Sequence, residues 1–239
     1  WDGGLQELPA RVLKLAVPRA ILSLSNDPTG GCWAAACLPG EPDWAGSLGE
    51  PDGIYQNHGG DWSLAVAGDT LRAAGMPMDA RVQVAAPAGD GSLWIGTSHG
   101  LWRYTSGVPK EQMGDAGRAD VRALLVLAPH ELLVGACRGL FVGRTGVMAP
   151  VAGLEQDVVV ALARDAVGET VWAATAAGLV HLERTGDGWA IRRRFTADSS
   201  GLASDHVTSL ALEVSGEKTR VWIGTAGGLC CYVHQRGGS

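Results

Sequence analysis

The sequence has few charged side chains and no long hydrophobic run. Only 18% of its 239 residues are Asp, Glu, Lys or Arg, and the formal net charge is −6. This charge argues against a nucleic-acid partner, because binding to phosphates needs a basic face. No apolar run reaches the roughly 18 residues that a membrane-spanning helix requires. We therefore expect neither nucleic-acid binding nor membrane insertion.

The chain also lacks the residue spacings of metal sites. Its five cysteines show no Cys-x-x-Cys spacing, and its six histidines never fall at His-x-x-x-His spacing. We expect no metal and no cofactor, and we interpret the thiols as reduced, buried and structural. Free thiols are typical of reducing compartments, which favours the cytoplasm, with the periplasm as the alternative. The cysteines are Cys32, Cys37, Cys137, Cys230 and Cys231.

Signatures of common catalytic sites are missing as well. No serine lies in a Gly-x-Ser-x-Gly elbow, and no glycine-rich segment carries the Lys-Ser/Thr pair of a phosphate loop. What the chain does contain is apolar material, at 46%, and 35 glycines without a period of three. This composition predicts a folded, glycine-punctuated protein. We expect no catalytic residue and no enzymatic activity.

A nine-residue segment recurs along the chain. Residues 93–101 align without a gap on residues 132–140, 171–179 and 221–229. A fifth copy begins at Cys32 and resumes at Gly53, and a sixth survives only as residues 2–5. Consecutive copies lie 39 to 50 residues apart, which fits one four-stranded blade of a β-propeller.

The sequence around each copy predicts the strands of a blade. A period-two apolar alternation and a turn come first, then a Trp-x-Gly-Thr strand, a glycine turn and two further strands. The predicted fold is all-β, a single β-propeller domain over residues 1–239 with four-stranded antiparallel blades. Six blades is our first choice, and five or seven also fit. We expect an insertion at residues 38–52 and an incomplete first blade, and the start at Trp1 suggests a processed protein or a piece of a longer one.

The motif Leu-Trp-Ile-Gly-Thr-x-x-Gly-Leu-x-x-Tyr at residues 93–104 resembles the two-component regulator propeller repeat. The segment at residues 201–210, Gly-Leu-Ala-Ser-Asp-His-Val-Thr-Ser-Leu, strengthens this resemblance. The resemblance implies a bacterial sensory propeller of the kind found ahead of histidine kinases and diguanylate cyclases. It also implies a periplasmic location, against the argument from the thiols.

Propeller geometry narrows the candidate contact residues. We assign the strands of each blade in chain order, from the inside of the ring outward. In this arrangement the turns between second and third strands lie on the same face as the connections between blades. We call this the loop face. Trp44 is a further candidate, because it is an aromatic residue on the insertion with no repeat equivalent. The loop-face candidates are His99 and Arg138 in the turns, and Arg81, Asp120, Arg122, Asp157, Asp205 and His206 in the connections.

These observations favour a non-enzymatic recognition module with a sensory or regulatory role in a larger bacterial protein or complex. Its partner would be a protein or neighbouring domain, or a small molecule or oligosaccharide, bound at the loop face. One alternative is a catalytic propeller, a lyase or hydrolase with its site in the central channel. Another is an architectural ring that holds other domains. A convergent set of His, Asp, Glu and Arg side chains in the channel would favour catalysis.

The repeat predicts which tryptophans hold the blades together. Trp94 and Trp222 occupy the same repeat position, so we expect both indoles to be buried between blades. Replacing either with alanine should cost roughly 3–5 kcal/mol, the usual range for a buried aromatic. Trp44→Ala should leave the melting temperature nearly unchanged, and thermal melts of the three variants test this.

Overall fold

A computed structural model describes most of the chain. The described residues are 20–26, 31–37, 53–58, 61–112, 119–128, 130–144, 147–165, 169–186, 188–216 and 218–235. The partial repeat at residues 2–5, the insertion at 38–52 and its Trp44 lie outside them.

The described residues form nineteen strands and two short helices. The first blade contains β1 (Ala20–Asn26), β2 (Cys32–Cys37), β3 (Gly53–His58) and β4 (Asp61–Ala67), and α1 (Gly68–Ala73) follows. The second contains β5 (Val82–Pro87), β6 (Leu93–Thr97), β7 (Gly100–Thr105) and β8 (Val108–Gln112). The third contains β9 (Val121–Ala128), β10 (Glu131–Ala136), β11 (Gly139–Arg144) and β12 (Val147–Pro150). The fourth contains β13 (Val159–Asp165), β14 (Thr170–Thr175), β15 (Gly178–Thr185) and β16 (Gly188–Phe195), and α2 (Ala197–Ser200) follows. The fifth contains β17 (Val207–Ser215), β18 (Lys218–Thr225) and β19 (Gly228–Gln235).

The sheets are antiparallel, and their strands lie side by side in chain order. Four sheets have four strands and the fifth has three. Each sheet packs on the next through their first strands. The prediction of an all-β propeller with four-stranded blades is confirmed. The described residues form five sheets, a number that the prediction allows, although six was its first choice. The sixth repeat copy lies outside the described residues.

The Thr-x-x-Gly part of the repeat builds the turn between the second and third strands. The Oγ1 hydroxyl of Thr97 donates a hydrogen bond of 2.9 Å to the carbonyl of Gly100, and Thr175 makes the same bond to Gly178. Gly178 has a φ of 118°, and a side chain there would meet the Phe195 carbonyl oxygen at 2.2 Å. Glycine is therefore required at this position for both its backbone conformation and its lack of a Cβ.

The glycine inside the second strand allows consecutive blades to approach closely. A Cβ on Gly96 would lie 2.6 Å from a methyl carbon of Val121, the first residue of the third blade's inner strand. A Cβ on Gly135 would lie 2.7 Å from Val159 of the fourth blade. These distances are shorter than real carbon contacts, so a larger residue would push the blades apart. The repeat thus sets the spacing between blades.

Tryptophans at one repeat position differ in burial according to the blade. Trp94 and Trp172 are buried, and Trp172 packs in a cluster with Leu179, Phe195 and residues of the fifth blade. Trp222 is 38% exposed. The prediction for Trp94 is confirmed and that for Trp222 is wrong, because the face of the fifth blade that carries Trp222 has no further blade packed against it in the described chain.

Two expectations drawn from composition can also be compared with the structure. The four cysteines whose side chains are described are free, but Cys231 is exposed and the other three are half-buried, so the prediction of buried thiols is wrong. Within the described residues, neither helix is long and apolar enough to cross a membrane.

The difference between the two tryptophans can be measured as stability. Trp172→Ala should lower the free energy of unfolding by about 3–5 kcal/mol, because it removes a fully buried indole. Trp222→Ala should cost clearly less, because its indole already contacts water. Urea unfolding of both variants gives the comparison, and equal losses would show that Trp222 is covered in solution.

Candidate functional site

The loop face exists as the repeat predicts. Turns between second and third strands hydrogen-bond to the connections that enter the same blade. These bonds bring the predicted candidates to one end of the propeller. The backbone N–H groups of Ser98, Cys137 and Ala226 donate to the carbonyls of Arg81, Asp120 and His206, each at 2.9 Å.

Several loop-face carboxylates already have structural partners. Asp157 accepts two hydrogen bonds from the Arg194 guanidinium, at 2.9 and 3.1 Å. Asp205 accepts a 2.6 Å hydrogen bond from the backbone N–H of Ala197, at the start of α2. These two side chains tie connections to strands, and their contact with a ligand stays a prediction.

The remaining candidates lie at the surface of this end. Arg122 donates two hydrogen bonds to Oδ2 of Asp120, whereas Oδ1 of the same carboxylate is buried without a hydrogen-bond partner among the described residues. The His99 ring lies 3.0 Å from the Ser98 hydroxyl and 3.5 Å from an Asp79 carboxylate oxygen. Arg81, Arg138 and His206 lie in the exposed turns and connections, with the Arg138 side chain open to water. The face therefore has mixed charge.

Two concave features lie at the opposite end, where the turns between first and second strands are. One is a cavity of about 340 Å³ beside the first strands of three blades. Its walls are apolar, with Ser25 and Asn26 as the polar exceptions. The other, which we call the aromatic cleft, has a volume of about 360 Å³ and lies between the first and second blades. Pro87 and Gly89 line both, so the two features adjoin.

The aromatic cleft combines ring faces with neutral polar groups. Trp33 on β2 and Gln56 on β3 are paired neighbours in the first blade. Tyr104, at the end of β7, and Ser92, before β6, line the cleft from the second blade. An aromatic wall with a few polar groups is the usual composition of a small-molecule site.

A charged network fixes the turn that forms one side of the cleft. The Asp90 carboxylate accepts hydrogen bonds from the hydroxyl and the backbone N–H of Ser92 and from Arg103. The hydrogen bonds from Ser92 hold the pKa of Asp90 below its ordinary value. Arg103 also donates to the Ser92 oxygen and lies over the Trp94 ring. Ser92 is thus held in one position at the cleft.

Sequence reasoning missed the aromatic cleft. The alignment of Trp33 with Trp94 and Trp172 predicts a core residue of the blade. The usable signal was the departure of its blade from the repeat: Ala35 and Ala36 replace the Gly-Thr pair, so the first blade differs at its contact with the second. Position along the repeat does not reveal which ring remains accessible.

A buried polar cluster lies between the fourth and fifth blades. The His181 ring stacks on Trp172 with centroids 4.0 Å apart and lies 5.1 Å from the ring of His234. Nearby, the buried Asp165 carboxylate accepts a 2.5 Å hydrogen bond from Thr219. Burial, together with the charges of His234 and Arg192, lowers the pKa of His181 from 6.5 to about 4. His181 is therefore neutral at physiological pH. In the part of the chain that the structure describes, no three His, Cys, Asp or Glu side chains are placed to hold a metal ion.

Comparison with known proteins shows the fold. Neither a protein-family model nor a curated protein matches this chain. Its structure resembles the extracellular domain assigned to the hybrid two-component system BT3049 of B. thetaiotaomicron, with 19% identity and a TM-score of 0.57 over 89% of this chain and 33% of that one. It also resembles PorZ, a surface component of the type-IX secretion system of Porphyromonas gingivalis, with 18% identity and a TM-score of 0.58 over 92% and 33%. The extracellular domain of BT4673, from the same organism as BT3049, matches with 20% identity and a TM-score of 0.55 over 65% and 21%.

These similarities confirm the propeller fold and the resemblance to domains of two-component regulators. The chain spans a third or less of the length of these structures, 21% to 33%. Enzymes share the fold too, since an aldose sugar dehydrogenase of Escherichia coli matches with 12% identity and a TM-score of 0.55 over 92% of this chain and 84% of that one. The preference for a cytoplasmic location finds no support in these matches, since the matched structures of BT4673 and BT3049 are extracellular domains.

His181 predicts a pH dependence of stability. The unfolded chain binds a proton on this imidazole below about pH 6.5, whereas the folded chain binds it only near pH 4. Stability should therefore fall by about 3 kcal/mol as the pH drops from 6.5 to 4, and this term should be absent above pH 6.5. His181→Phe should reduce this loss in urea titrations at pH 7.5 and 4.5. The control Val180→Ala should lower the free energy of unfolding by the same amount at both pH values. If His181→Phe loses as much stability between pH 7.5 and 4.5 as the unchanged protein, His181 is not the group responsible.

Proposed function

We propose that this propeller is a recognition module that binds a neutral, hydroxyl-rich small molecule, such as an oligosaccharide, in the aromatic cleft. The observation that carries the proposal is the set of side chains lining the cleft: Trp33, Tyr104, Gln56 and Ser92. Indole and phenol rings cover the apolar face of a sugar ring, while amide and hydroxyl groups hydrogen-bond to its edge. This location differs from the loop face that the repeat geometry favours.

The composition of the cleft supports binding over catalysis. Its polar side chains are Gln56, Ser92, Tyr104 and the Trp33 indole N–H, and its other residues are apolar or glycine. General acid–base catalysis near neutral pH works through groups such as His, Asp, Glu or Lys with tuned pKa values. Ser92, moreover, already donates its hydroxyl proton to Asp90.

A sensory role and a location outside the cytoplasm accompany this proposal. The support is the likeness to extracellular domains of two-component regulators and to a bacterial surface component. In a sensor, the cleft is suited to signal that a ligand is bound, because a ligand there contacts the first and second blades at once.

Isothermal titration calorimetry with cellotetraose, xylotetraose and maltotetraose tests the proposal. We expect at least one of the three to bind. Trp33→Ala should weaken that binding about ten-fold or more, since losing one stacking face removes at least about 1.4 kcal/mol. Gln56→Leu should weaken binding by removing its hydrogen bonds while keeping the volume.

Arg138→Ala is the matched control, because this exposed side chain lies in a turn at the loop face. It should leave the affinity unchanged. If Arg138→Ala abolishes binding while Trp33→Ala does not, the ligand site is at the loop face and the cleft proposal is wrong. Absence of binding by all three sugars would also overturn the proposed ligand class.

A further inference from the structure

One face of the fifth blade is apolar and open. Leu229, Cys231 and Val233 follow one another on the same side of β19, next to Trp222 on β18. Leu229 is 70% exposed and Trp222 is 38% exposed. We call this surface the open face. Its polar edge is the exposed pair of Arg220 and Glu213, whose carboxylate also accepts the Trp222 indole N–H.

The same repeat positions are covered in the blades that have a successor. Leu101, Leu140 and Leu179 correspond to Leu229, and all three are fully buried. The open face thus corresponds to the surface that the second, third and fourth blades each pack against the next blade. Apolar surface of this kind is a recognition surface when it remains contiguous and uncovered.

The internal interfaces also show what chemistry covers such a face. Val121, at the start of the third blade, lies directly over Gly96, and Val159 lies over Gly135 in the same way. At the equivalent Gly224, the nearest atoms belong to Ser209 and Thr208 of the same blade. The missing contact is therefore a β-branched side chain at the start of an inner strand.

The first blade carries the complementary gap. Ile21 on β1 pairs with Ala36, on the side away from the second blade, and is 46% exposed. Its counterparts Val82, Val121 and Val159 are fully buried. On the same side of this blade, Ala36 and Tyr55 are buried. On this side, the inner strand is the most exposed part of the first blade, with Leu24 at 67%, although Leu64 on β4 is also 43% exposed.

We propose that the open face binds the inner β-hairpin of a further blade of this repeat, supplied by polypeptide outside residues 20–235. Such a hairpin has a Val or Ile at the start of its first strand, which packs on Gly224 and Trp222. Its second strand, of the Trp-x-Gly-Thr type, covers Ile21 on the other side. A hairpin matches both gaps, because Ala36 and Tyr55, on the second and third strands of the first blade, are already buried on this side.

The test supplies such a hairpin and measures access to the open face. A copy of residues 82–97, the hairpin of β5 and β6, is fused after Ser239 through a flexible Gly/Ser linker of about 15 residues, which reaches about 20 Å on average. Alkylation of Cys231 by iodoacetamide, followed by tandem mass spectrometry, reports coverage of the face. Cys230 is the internal control, because its sulfur points to the other side of β19, where it accepts a hydrogen bond from Ala203.

We expect the fusion to slow alkylation of Cys231 about ten-fold, as for a face covered nine-tenths of the time. The rate at Cys230 should stay nearly constant. Val82→Asp in the appended copy alone should restore fast alkylation, since it places a carboxylate on Gly224. Leu229→Asp, at a position that is 70% exposed in the unfused chain, should do the same.

Equal Cys231 rates with and without the appended hairpin would overturn the proposal. The proposal would also be wrong if alkylation of Cys231 were slow in the unfused chain and became faster on dilution, and if sedimentation equilibrium showed a dimer. That result would mean that a second copy of the chain occupies the face.

Discussion

The architecture depends on the contact between a glycine in the second strand of one blade and a valine in the first strand of the next. At Gly96 and Gly135 there is no space for a Cβ, because the valine methyl groups of the following blade already occupy it. Close packing of this kind is sensitive to a single methyl group. The large residue beside the glycine, such as Trp94, then fills the volume around this contact. The spacing between blades and the packing of the core thus depend on a small residue and a large residue in the same strand, such as Gly96 and Trp94.

Where this contact is modified, the surface changes character. In the first blade, Ala35 occupies the place of the repeat glycine and packs toward the second blade. Beside it, Trp33 borders a cleft with Tyr104 of the second blade. An irregular join between two blades thus gives the propeller a concave site with aromatic walls. A repeat protein can in this way carry a binding site without an added domain.

The two ends of the propeller have different chemistry for a topological reason. Blade connections and second-to-third turns share one end, and they bring charged side chains there that are paired locally, as in Asp157 with Arg194. First-to-second turns occupy the other end, where the two cavities lie. Ion pairs occur there as well, such as Asp90 with Arg103, but the cavity walls are mostly neutral and partly aromatic.

The sequence alone determined the fold, the order of strands in each sheet and the residues of the turns. These are local properties: period-two alternation selects strands, Thr-x-x-Gly closes a turn, and a fixed spacing repeats the unit. Tertiary structure decided whether residues at the same repeat position have the same environment. Trp172 and Trp222 share a motif, yet one is buried and the other reaches solvent, because burial depends on whether a neighbouring blade covers that face. The cleft at Trp33 and the buried His181 were likewise outside the reach of the sequence, since each is formed by residues that only packing between strands or blades brings together.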